Sequence, residues 1–327
     1  MSSTPTVLLL GATGETGQSI LKGLVESNAF NVEALVRPAS STKPEVEELR
    51  SAGIAIRLAD TAGAHADLVK ALKGVDIFVS AIGPNNQLEQ LRLVDAVKEA
   101  GVKRFIPCGF ITISPVGGVM RLRDEKEKVY NYMKKQHVPF TVIDTGFWYQ
   151  ISLPRVPSGK YDAALARGAD EPNEVYAGGD APNILTDLRD IGVLVAQIIQ
   201  DERTLNQYVY TCGEVLSQKE IIAIVESVTG ETVEQTIVTT EQVQERLEGV
   251  RAALAADPSK PMNQVLAYMT EYCHSKYVRA DNSPAYAKYL GYLDTRDLYP
   301  GTKTRTFRDF LADVLDGKVQ RVYSKKS

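Results

Sequence analysis

The sequence predicts an α/β protein with a doubly wound parallel sheet and a smaller, mostly α-helical C-terminal domain. Strand and helix patterns alternate, with short connections, through the first half of the chain. A glycine-rich turn joins the first strand to the first helix, and the regular alternation stops after Gly146. We therefore expect a first domain at residues 1–155, completed by elements within 186–213, and a second domain at 156–327.

The first strand leads directly into three glycines at three-residue spacing. Val7–Leu10 is continuously apolar, as in a strand covered on both faces, and Gly11, Gly14 and Gly17 follow it. Gly11 permits a tight turn, Gly14 lets the backbone approach a phosphate, and Gly17 lets the next helix close against the strand. That helix begins near Glu15, and its free N–H groups and positive end suit a pyrophosphate. The setting predicts a dinucleotide site on a Rossmann-type sheet.

The end of the second strand indicates which dinucleotide is bound. The strand spans Asn31–Val36, and Arg37 follows where an NAD-selective site would carry an acidic residue. Hydroxyl residues and Lys43 come next. A guanidinium, hydroxyls and an ammonium suit a 2′-phosphate, which favours NADP. The alternative is a solvated loop with incidental positive charge.

The other elements follow from apolar periodicity, capping residues and turn residues. Strands are predicted at Ile54–Leu58, Val75–Val79, Arg104–Pro107, Pro139–Ile143 and Tyr208–Thr211. Helices are predicted at Pro44–Ala52, through Leu68 to Leu72, and at Gln87–Ala100, Arg121–Gln136, Gln218–Val228, Glu241–Leu254, Asn263–Tyr277 and Thr306–Leu315.

Composition excludes several classes of function. A net charge of −4 over 327 residues gives no reason to expect binding to nucleic acid or to an anionic membrane. Cys108, Cys212 and Cys273 are far apart, which argues for a reducing compartment and against a disulfide framework or a zinc site. No stretch approaches the about 18 apolar residues of a membrane span, and no signal-peptide pattern begins the chain. We expect a cytoplasmic monomer or homodimer.

Several motifs occur together and in order along nearly the whole chain. They are Gly11-Ala-Thr-Gly-Glu-Thr-Gly17 with Val36-Arg37, Val79-Ser-Ala-Ile-Gly83, Ala100-Gly-Val-Lys-Arg-Phe-Ile-Pro107, Gly146-Phe147, Asp190-Ile-Gly192, Thr204-Leu-Asn206, Leu216-Ser217 and Leu298-Tyr-Pro300. Read together, they resemble the isoflavone-reductase-like and NmrA-like branch of the atypical short-chain dehydrogenases/reductases.

The resemblance implies a set of coenzyme contacts. The pyrophosphate would lie among Gly11, Thr13, Gly14, Glu15, Thr16 and Gly17, the 2′-phosphate at Arg37 and Lys43, and the ribose side at Ser80, Ile82 and Gly83. Cys108 and Phe110, after the fifth strand, and Lys128 complete the predicted contacts with NADP(H).

The resemblance also implies an active lysine, which we place eleven residues before the proline that opens the next strand. Lys128 stands eleven residues before Pro139, and Lys126 lies on another face of the same helix. Lys128 would stabilise oxyanion charge or donate a proton during hydride transfer from NADPH to a conjugated double bond, a carbonyl or a quinone-methide-like carbon. An exposed structural lysine is the alternative. Asp124 stands where a Tyr-x-x-x-Lys motif would have its tyrosine.

The predicted substrate wall is aromatic and lies at the carboxyl ends of the fifth and sixth strands. It consists of Phe110, Phe147, Trp148 and Tyr149, with Met120, beside two glycines, as a flexible edge. A flat aromatic or polyketide-type substrate would stack there. Alternatively, these rings seal the joint between the domains, and the later tyrosines at helical spacing are expected in the core.

A different function remains open at this point. NmrA-type regulators keep the dinucleotide fold, sense the oxidation state of the coenzyme and bind a protein partner without reducing a substrate. The lysine at catalytic spacing favours the reductase.

Overall fold

The computed structural model describes residues 4–166, 168 and 171–324. Its strands are β1 (Thr6–Leu10), β2 (Asn31–Val36), β3 (Ala55–Leu58), β4 (Ile77–Ser80), β5 (Arg104–Ile106), β6 (Thr141–Asp144), β7 (Phe147–Trp148), β8 (Glu174–Tyr176), β9 (Asn183–Thr186), β10 (Gln207–Tyr210), β11 (Glu214–Leu216), β12 (Thr236–Val238) and β13 (Leu293–Asp294).

The helices include all of the predicted ones, in the predicted order, and two short helices that were not predicted, Pro284–Tyr289 and Thr295–Leu298. They are α1 (Glu15–Ser27), α2 (Pro44–Ser51), α3 (His65–Leu72), α4 (Gln90–Ala100), α5 (Arg121–Lys135), α6 (Leu188–Gln200), α7 (Gln218–Thr229), α8 (Thr240–Ala256), α9 (Pro261–Cys273), α10 (Pro284–Tyr289), α11 (Thr295–Leu298) and α12 (Phe307–Leu315). A 3₁₀ segment, Pro84–Glu89, precedes α4, and a π-turn, His274–Val278, follows α9.

The central sheet is parallel, as the sequence predicts. Its first part has the order β3-β2-β1-β4-β5, in which the chain reverses its direction of travel between β1 and β4. A bridge between Phe105 and Phe140 joins β5 to a second parallel set, β6-β10-β13. The strand β10 lies within 186–213, where elements completing the sheet are expected. The domain boundary at 155 and 156 stays a prediction.

The C-terminal lobe consists of helices with two small sheets, β11-β9-β7 and β12-β8. Local sequence signals explain where its helices begin and end. The Ser217 hydroxyl and the Glu220 carboxylate form a reciprocal capping box at the start of α7, and Gly230 ends the helix in the left-handed conformation. Among the described residues, no helix combines the length and the apolarity that crossing a bilayer requires.

The helices α1 and α6 pack on the same face of the sheet at very close range. Each has a glycine at the crossing, Gly23 and Gly192, and a β-carbon on either would overlap the backbone of the other helix. The Gly192 N–H donates to the Ser19 hydroxyl at 3.0 Å, and this hydroxyl donates to the Leu188 carbonyl at 2.5 Å. The α1 helix, which begins at the glycine-rich turn, is therefore held by backbone contact with α6.

Substituting Gly192 tests this close approach. Because the Gly192→Ala β-carbon has no room, we expect overpacking to lower the free energy of unfolding by about 1–3 kcal/mol, measured by urea denaturation. Gly249 in α8 is the control, since a β-carbon there meets no heavy atom within 4 Å. Gly249→Ala should raise the stability by about 0.5–1 kcal/mol. Equal effects of the two substitutions would contradict the proposed crossing.

Candidate active site

A cavity of about 920 Å³ lies at the carboxyl ends of the central strands. The first turn of α1, the segments that follow β4 and β5, the helix α5, the strand β7 and the helix α9 contribute to its wall. Lining residues include Thr16, Ala81, Ile82, Gln87, Cys108, Gly109, Phe110, Ile111, Leu122, Lys126, Phe147, Trp148, Tyr176, Tyr268, Met269, Tyr272, Cys273, Lys276, Tyr277 and Tyr323. Most of these groups are apolar or aromatic, as in sites for small organic molecules.

The glycine-rich turn has the geometry of an anion-binding loop. Gly11 has a φ of +84° and packs so tightly on Ala81 that a β-carbon would overlap the Ala81 carbonyl. Gly14 is the N-cap of α1 and provides no capping side chain, so the first N–H groups of this helix are open to a ligand. The Ser80 hydroxyl, at the end of β4, is buried and has no hydrogen-bond partner among the described residues. These features fit a dinucleotide.

The structure brings Thr16, Ile82, Cys108 and Phe110 together in the cavity wall. Arg37 stands at the end of β2 and Lys43 directly before α2, and both side chains are exposed. In the described part of the chain, neither has an ion pair. Their assignment to a 2′-phosphate stays a prediction, and so does that of Thr13, Glu15 and Gly83, which do not line this cavity.

Lys126 is the lysine of α5 that faces the cavity. Its side chain is buried, and its ammonium donates to the Cys108 carbonyl at 2.6 Å and to the Gln87 side-chain oxygen at 2.9 Å. The Cys108 Sγ lies 3.5 Å from the same nitrogen. Burial lowers the pKa of Lys126, an effect that Cys108 and Asp144 partly oppose. A buried amine with a lowered pKa in a cavity wall is typical of a functional group.

The orientation of α5 follows from a buried ion pair one turn before Lys126. The Arg123 guanidinium donates to the Asp144 carboxylate at 2.6 Å and to the Thr112 carbonyl at 2.8 Å, with both charged side chains buried. Tyr292 donates to the same carboxylate oxygen at 2.7 Å. Burial alone would lower the pKa of Arg123, but Asp144 raises it well above its ordinary value.

The structure does not bring Lys128 to the cavity. Its side chain is exposed, whereas Lys126 is buried on the opposite side of α5. Residues two apart on a helix point about 200° away from each other, so both cannot face the same cavity. The placement of Lys128 therefore disagrees with the catalytic and coenzyme roles expected from the eleven-residue spacing. It matches the alternative of an exposed lysine.

The predicted aromatic wall is present in part. Phe110, Phe147 and Trp148 line the cavity. Phe110 has a φ of +55°, and its backbone N–H donates to the Ile143 carbonyl at 2.7 Å. Met120 and Tyr149 do not line it.

Both exceptions have a packing reason. Met120 is 1 % exposed and immediately precedes α5, where its sulfur lies 4.0 Å from the Thr112 hydroxyl. Tyr149 is fully buried against Phe307 and Phe310 in the C-terminal lobe, and its hydroxyl donates to the Arg305 carbonyl.

Several cavity residues have no counterpart among the predicted site residues. Tyr268, Tyr272 and Tyr277 were expected in the core, yet they line the cavity, together with Gln87 and Lys276. The ammonium of Lys276 lies 2.9 Å from the centroid of the Phe147 ring. Helical spacing could not separate core from cavity wall, because one face of α9 packs on α8 while another faces the cavity.

The NmrA-like family model matches residues 3–311. The chain belongs to this family. It is 36 % identical to asnovolin J 5′,6′-dehydrogenase of Aspergillus novofumigatus, with 97 % of both chains covered. It is 26 % identical to eugenol synthase 1 of Petunia hybrida, over 95 % of this chain and 99 % of the relative.

Solved structures share the fold. The complex of leucoanthocyanidin reductase from Vitis vinifera with NADPH superposes with a TM-score of 0.77, at 22 % identity, over 95 % of this chain and 99 % of the other. The family and the Rossmann-type fold expected from the motifs are confirmed. The relatives named as dehydrogenases and reductases confirm the expected class, an oxidoreductase.

Removing the Asp144 carboxylate tests the role of the buried pair. Asp144→Ala leaves the buried Arg123 charge with only the Glu127 carboxylate, 3.8 Å away and without a hydrogen bond to it, and we expect a loss of about 3–5 kcal/mol in the free energy of unfolding. The control is Asp180→Ala, because Asp180 pairs with Lys219 at the surface, where both side chains are mostly exposed. That change should cost less than about 1 kcal/mol. A small loss for Asp144→Ala would show that the pair does not anchor α5.

Proposed function

We propose that the protein is an NADPH-dependent reductase of an aromatic or polyketide-type small molecule. Hydride is transferred to a conjugated double bond, a carbonyl or a quinone-methide-like carbon, with assistance from Lys126. The observation that carries this proposal is a buried ammonium in the wall of an apolar cavity that begins at an uncapped, glycine-rich helix N-terminus. The cavity thus brings this ammonium and a few other polar groups, Gln87 and Lys276 among them, to a substrate that is mostly surrounded by apolar and aromatic side chains.

The coenzyme is NADPH, which supplies the hydride when it is bound. The first turn of α1 would hold its pyrophosphate, and Arg37, with Lys43, its 2′-phosphate. The buried Ser80 hydroxyl, without a partner among the described residues, offers a hydrogen bond to the ribose side. The family membership and the NADPH complex of leucoanthocyanidin reductase support this assignment.

Lys126 can stabilise negative charge and donate a proton. Its three hydrogen-bond partners are the Cys108 carbonyl, the Gln87 side-chain oxygen and the Cys108 Sγ, and the two oxygens orient the group. Sulfur is a weak acceptor, so the proton that faces it would be given to oxygen charge that develops as hydride adds to a conjugated carbonyl. The lowered pKa brings proton release closer to neutral pH than in a free lysine.

The aromatic lining indicates the class of substrate. Phe110, Phe147, Trp148 and Tyr272 present ring surfaces to the same cavity, which suits stacking on a flat or multi-ring molecule. The relative from Aspergillus novofumigatus is named for dehydrogenation at a 5′,6′ pair of positions. Hydride transfer between a nicotinamide and carbon runs in either direction, so both NADPH oxidation and NADP⁺ reduction should be assayed.

The proposed reductase activity is tested by following the nicotinamide absorbance of the coenzyme with a panel of aromatic enones, quinones and benzylic ethers. The non-catalytic regulator remains the alternative, and it predicts discriminating binding of NADP⁺ and NADPH without turnover of any compound. A reductase should turn over at least one class. No turnover across the panel, combined with such discrimination, would favour the regulator.

Lys126→Met should lower kcat by about 10²–10⁴, because it removes both the proton and the charge while keeping a chain of similar length. Lys128→Met is the matched control on the same helix and should keep kcat within about twofold. Binding of NADPH, followed by fluorescence, should remain in both variants. A larger loss of kcat in Lys128→Met than in Lys126→Met would show that Lys128 is the catalytic lysine.

The pH dependence of kcat provides a second readout for Lys126. The ammonium is the active form, so kcat should fall as the pH rises through the lowered pKa of Lys126. This fall should begin below the pH at which an ordinary lysine, with a pKa of about 10.4, loses its proton. The decline should be absent from the residual activity of Lys126→Met.

Arg37→Asp tests the choice of coenzyme. A carboxylate at this position would repel the 2′-phosphate and accept a hydrogen bond from a free 2′-hydroxyl. We expect the Kd for NADPH to rise at least about tenfold, equivalent to about 1.4 kcal/mol, while the Kd for NADH stays constant or falls. The control is Arg203→Asp. Arg203 is exposed, pairs with Asp201 and lies far from Arg37 in the sequence. Equal losses for both coenzymes would contradict the assignment.

A further inference from the structure

The segment after α12 connects the C-terminal lobe to the coenzyme side of the molecule. Gly317 turns the chain with a φ of +70°. Val319 then packs against the apolar cluster of the C-terminal lobe. Three residues later Val322, 4 % exposed, is part of the cluster that covers one face of the sheet, together with Trp148. We call residues 319–324 the strap.

The tip of the strap touches the glycine-rich turn and the aromatic wall together. The backbone N–H of Tyr323 donates to the Glu15 carboxylate at 2.9 Å. Its ring stacks on Trp148, with centroids 6.0 Å apart and planes inclined by 21°. Tyr323 lines the cavity, as do Thr16 and Ile82. Its φ of +57° is unusual for a bulky residue, so these contacts hold a conformation that the free chain disfavours.

We propose that Tyr323, anchored by the buried Val322, forms an additional wall of the coenzyme site, in which the strap closes over bound NADPH and slows its release. The proposal rests on NADPH as the coenzyme. The cavity keeps its volume of about 920 Å³ with the strap in place, so Tyr323 borders the space rather than filling it. Tyr323 is still 65 % exposed, which leaves surface for a coenzyme to cover.

Charge at the helix N-terminus couples the strap to the coenzyme. Glu15 is the first residue of α1, and its carboxylate is drawn to the same positive helix end as a pyrophosphate. The N–H of Tyr323 provides this carboxylate with another partner. Closing of the strap therefore weakens the competition between the Glu15 carboxylate and the pyrophosphate for the helix end. Closing of the strap and binding of the coenzyme then favour each other.

The experiment is a chain that ends at Gly317, compared with the full chain. NADPH dissociation is followed by nicotinamide fluorescence after mixing with excess NADP⁺. Loss of the stacked ring and of the buried Val322 should speed dissociation at least about tenfold and raise the Kd, with a smaller change in the association rate. Trp148 is the single tryptophan of the chain, so its emission reports independently on removal of the strap.

Point variants keep the proposal testable if the shortened chain does not fold. Tyr323→Ala removes the stacked ring and should speed dissociation by about two- to tenfold. Tyr323→Phe keeps the ring and the backbone N–H and should match the natural chain. Tyr289→Ala removes an exposed tyrosine of α10 and should have no effect.

Three results would overturn the proposal. Tighter NADPH binding by the shortened chain or by Tyr323→Ala would show that the strap blocks the site. Unchanged dissociation, despite altered Trp148 emission, would show that the strap touches the aromatic wall without holding the coenzyme. A full chain that binds NADP⁺ and NADPH equally poorly would contradict the proposed coenzyme as well, which separates that failure from a failure of the strap alone.

Discussion

The buried pair between Arg123 and Asp144 determines which side of α5 faces the cavity. Asp144 is the last residue of β6, and Arg123 lies in the first turn of α5, so the pair joins the helix to the sheet. A helix advances about 100° per residue. With Arg123 held against the sheet, Lys126 is directed inward and Lys128 outward. The orientation of the lysine in the cavity is therefore a consequence of an ion pair that does not itself line the cavity.

Burying two charges is unfavourable unless their hydrogen bonds are satisfied. Here they are satisfied only in part. The Arg123 guanidinium also donates to the Thr112 carbonyl and Asp144 also accepts from the Tyr292 hydroxyl, but Nε and Nη1 of Arg123 and Oδ1 of Asp144 have no hydrogen-bond partner among the described residues. Tyr292 directly precedes β13, at the far edge of the extended sheet. The pair thus connects the segment after β5, the sheet and the C-terminal lobe. Its value to the protein lies in specifying one arrangement of these parts rather than in net stability alone.

Much of the fold could be predicted from the sequence because the decisive signals are local. The strand β1, the three glycines and the capping box at Ser217 each encode their structure within a few residues. The coenzyme end of the cavity follows from the same local signals. The contact between Arg123 and Asp144 is not visible in this way, because the two residues are 21 positions apart. The facing of α5 is nevertheless indicated by its own apolar residues, since Leu122, Val129 and Met133 are buried on the side that carries Lys126. Sequence spacing from a proline located the helix correctly but selected its exposed lysine.

The aromatic residues also show where prediction from the sequence fails. The ring of Tyr149 and that of Trp148 are neighbours in sequence, yet one is fully buried in the C-terminal lobe and the other lines the cavity. The strand β7 ends at Trp148 and a 3₁₀ turn begins at Tyr149, so the ring of Tyr149 packs in the lobe although Phe147 and Trp148 both line the cavity. Tyr272 reaches the cavity from α9, more than a hundred residues later, and its ring lies 6.2 Å from that of Phe147. The proposed substrate wall is thus assembled by tertiary contacts, whereas the glycine-rich turn proposed for the coenzyme is continuous in sequence. This difference explains why a dinucleotide site is readable from one chain and why the shape of the substrate is not.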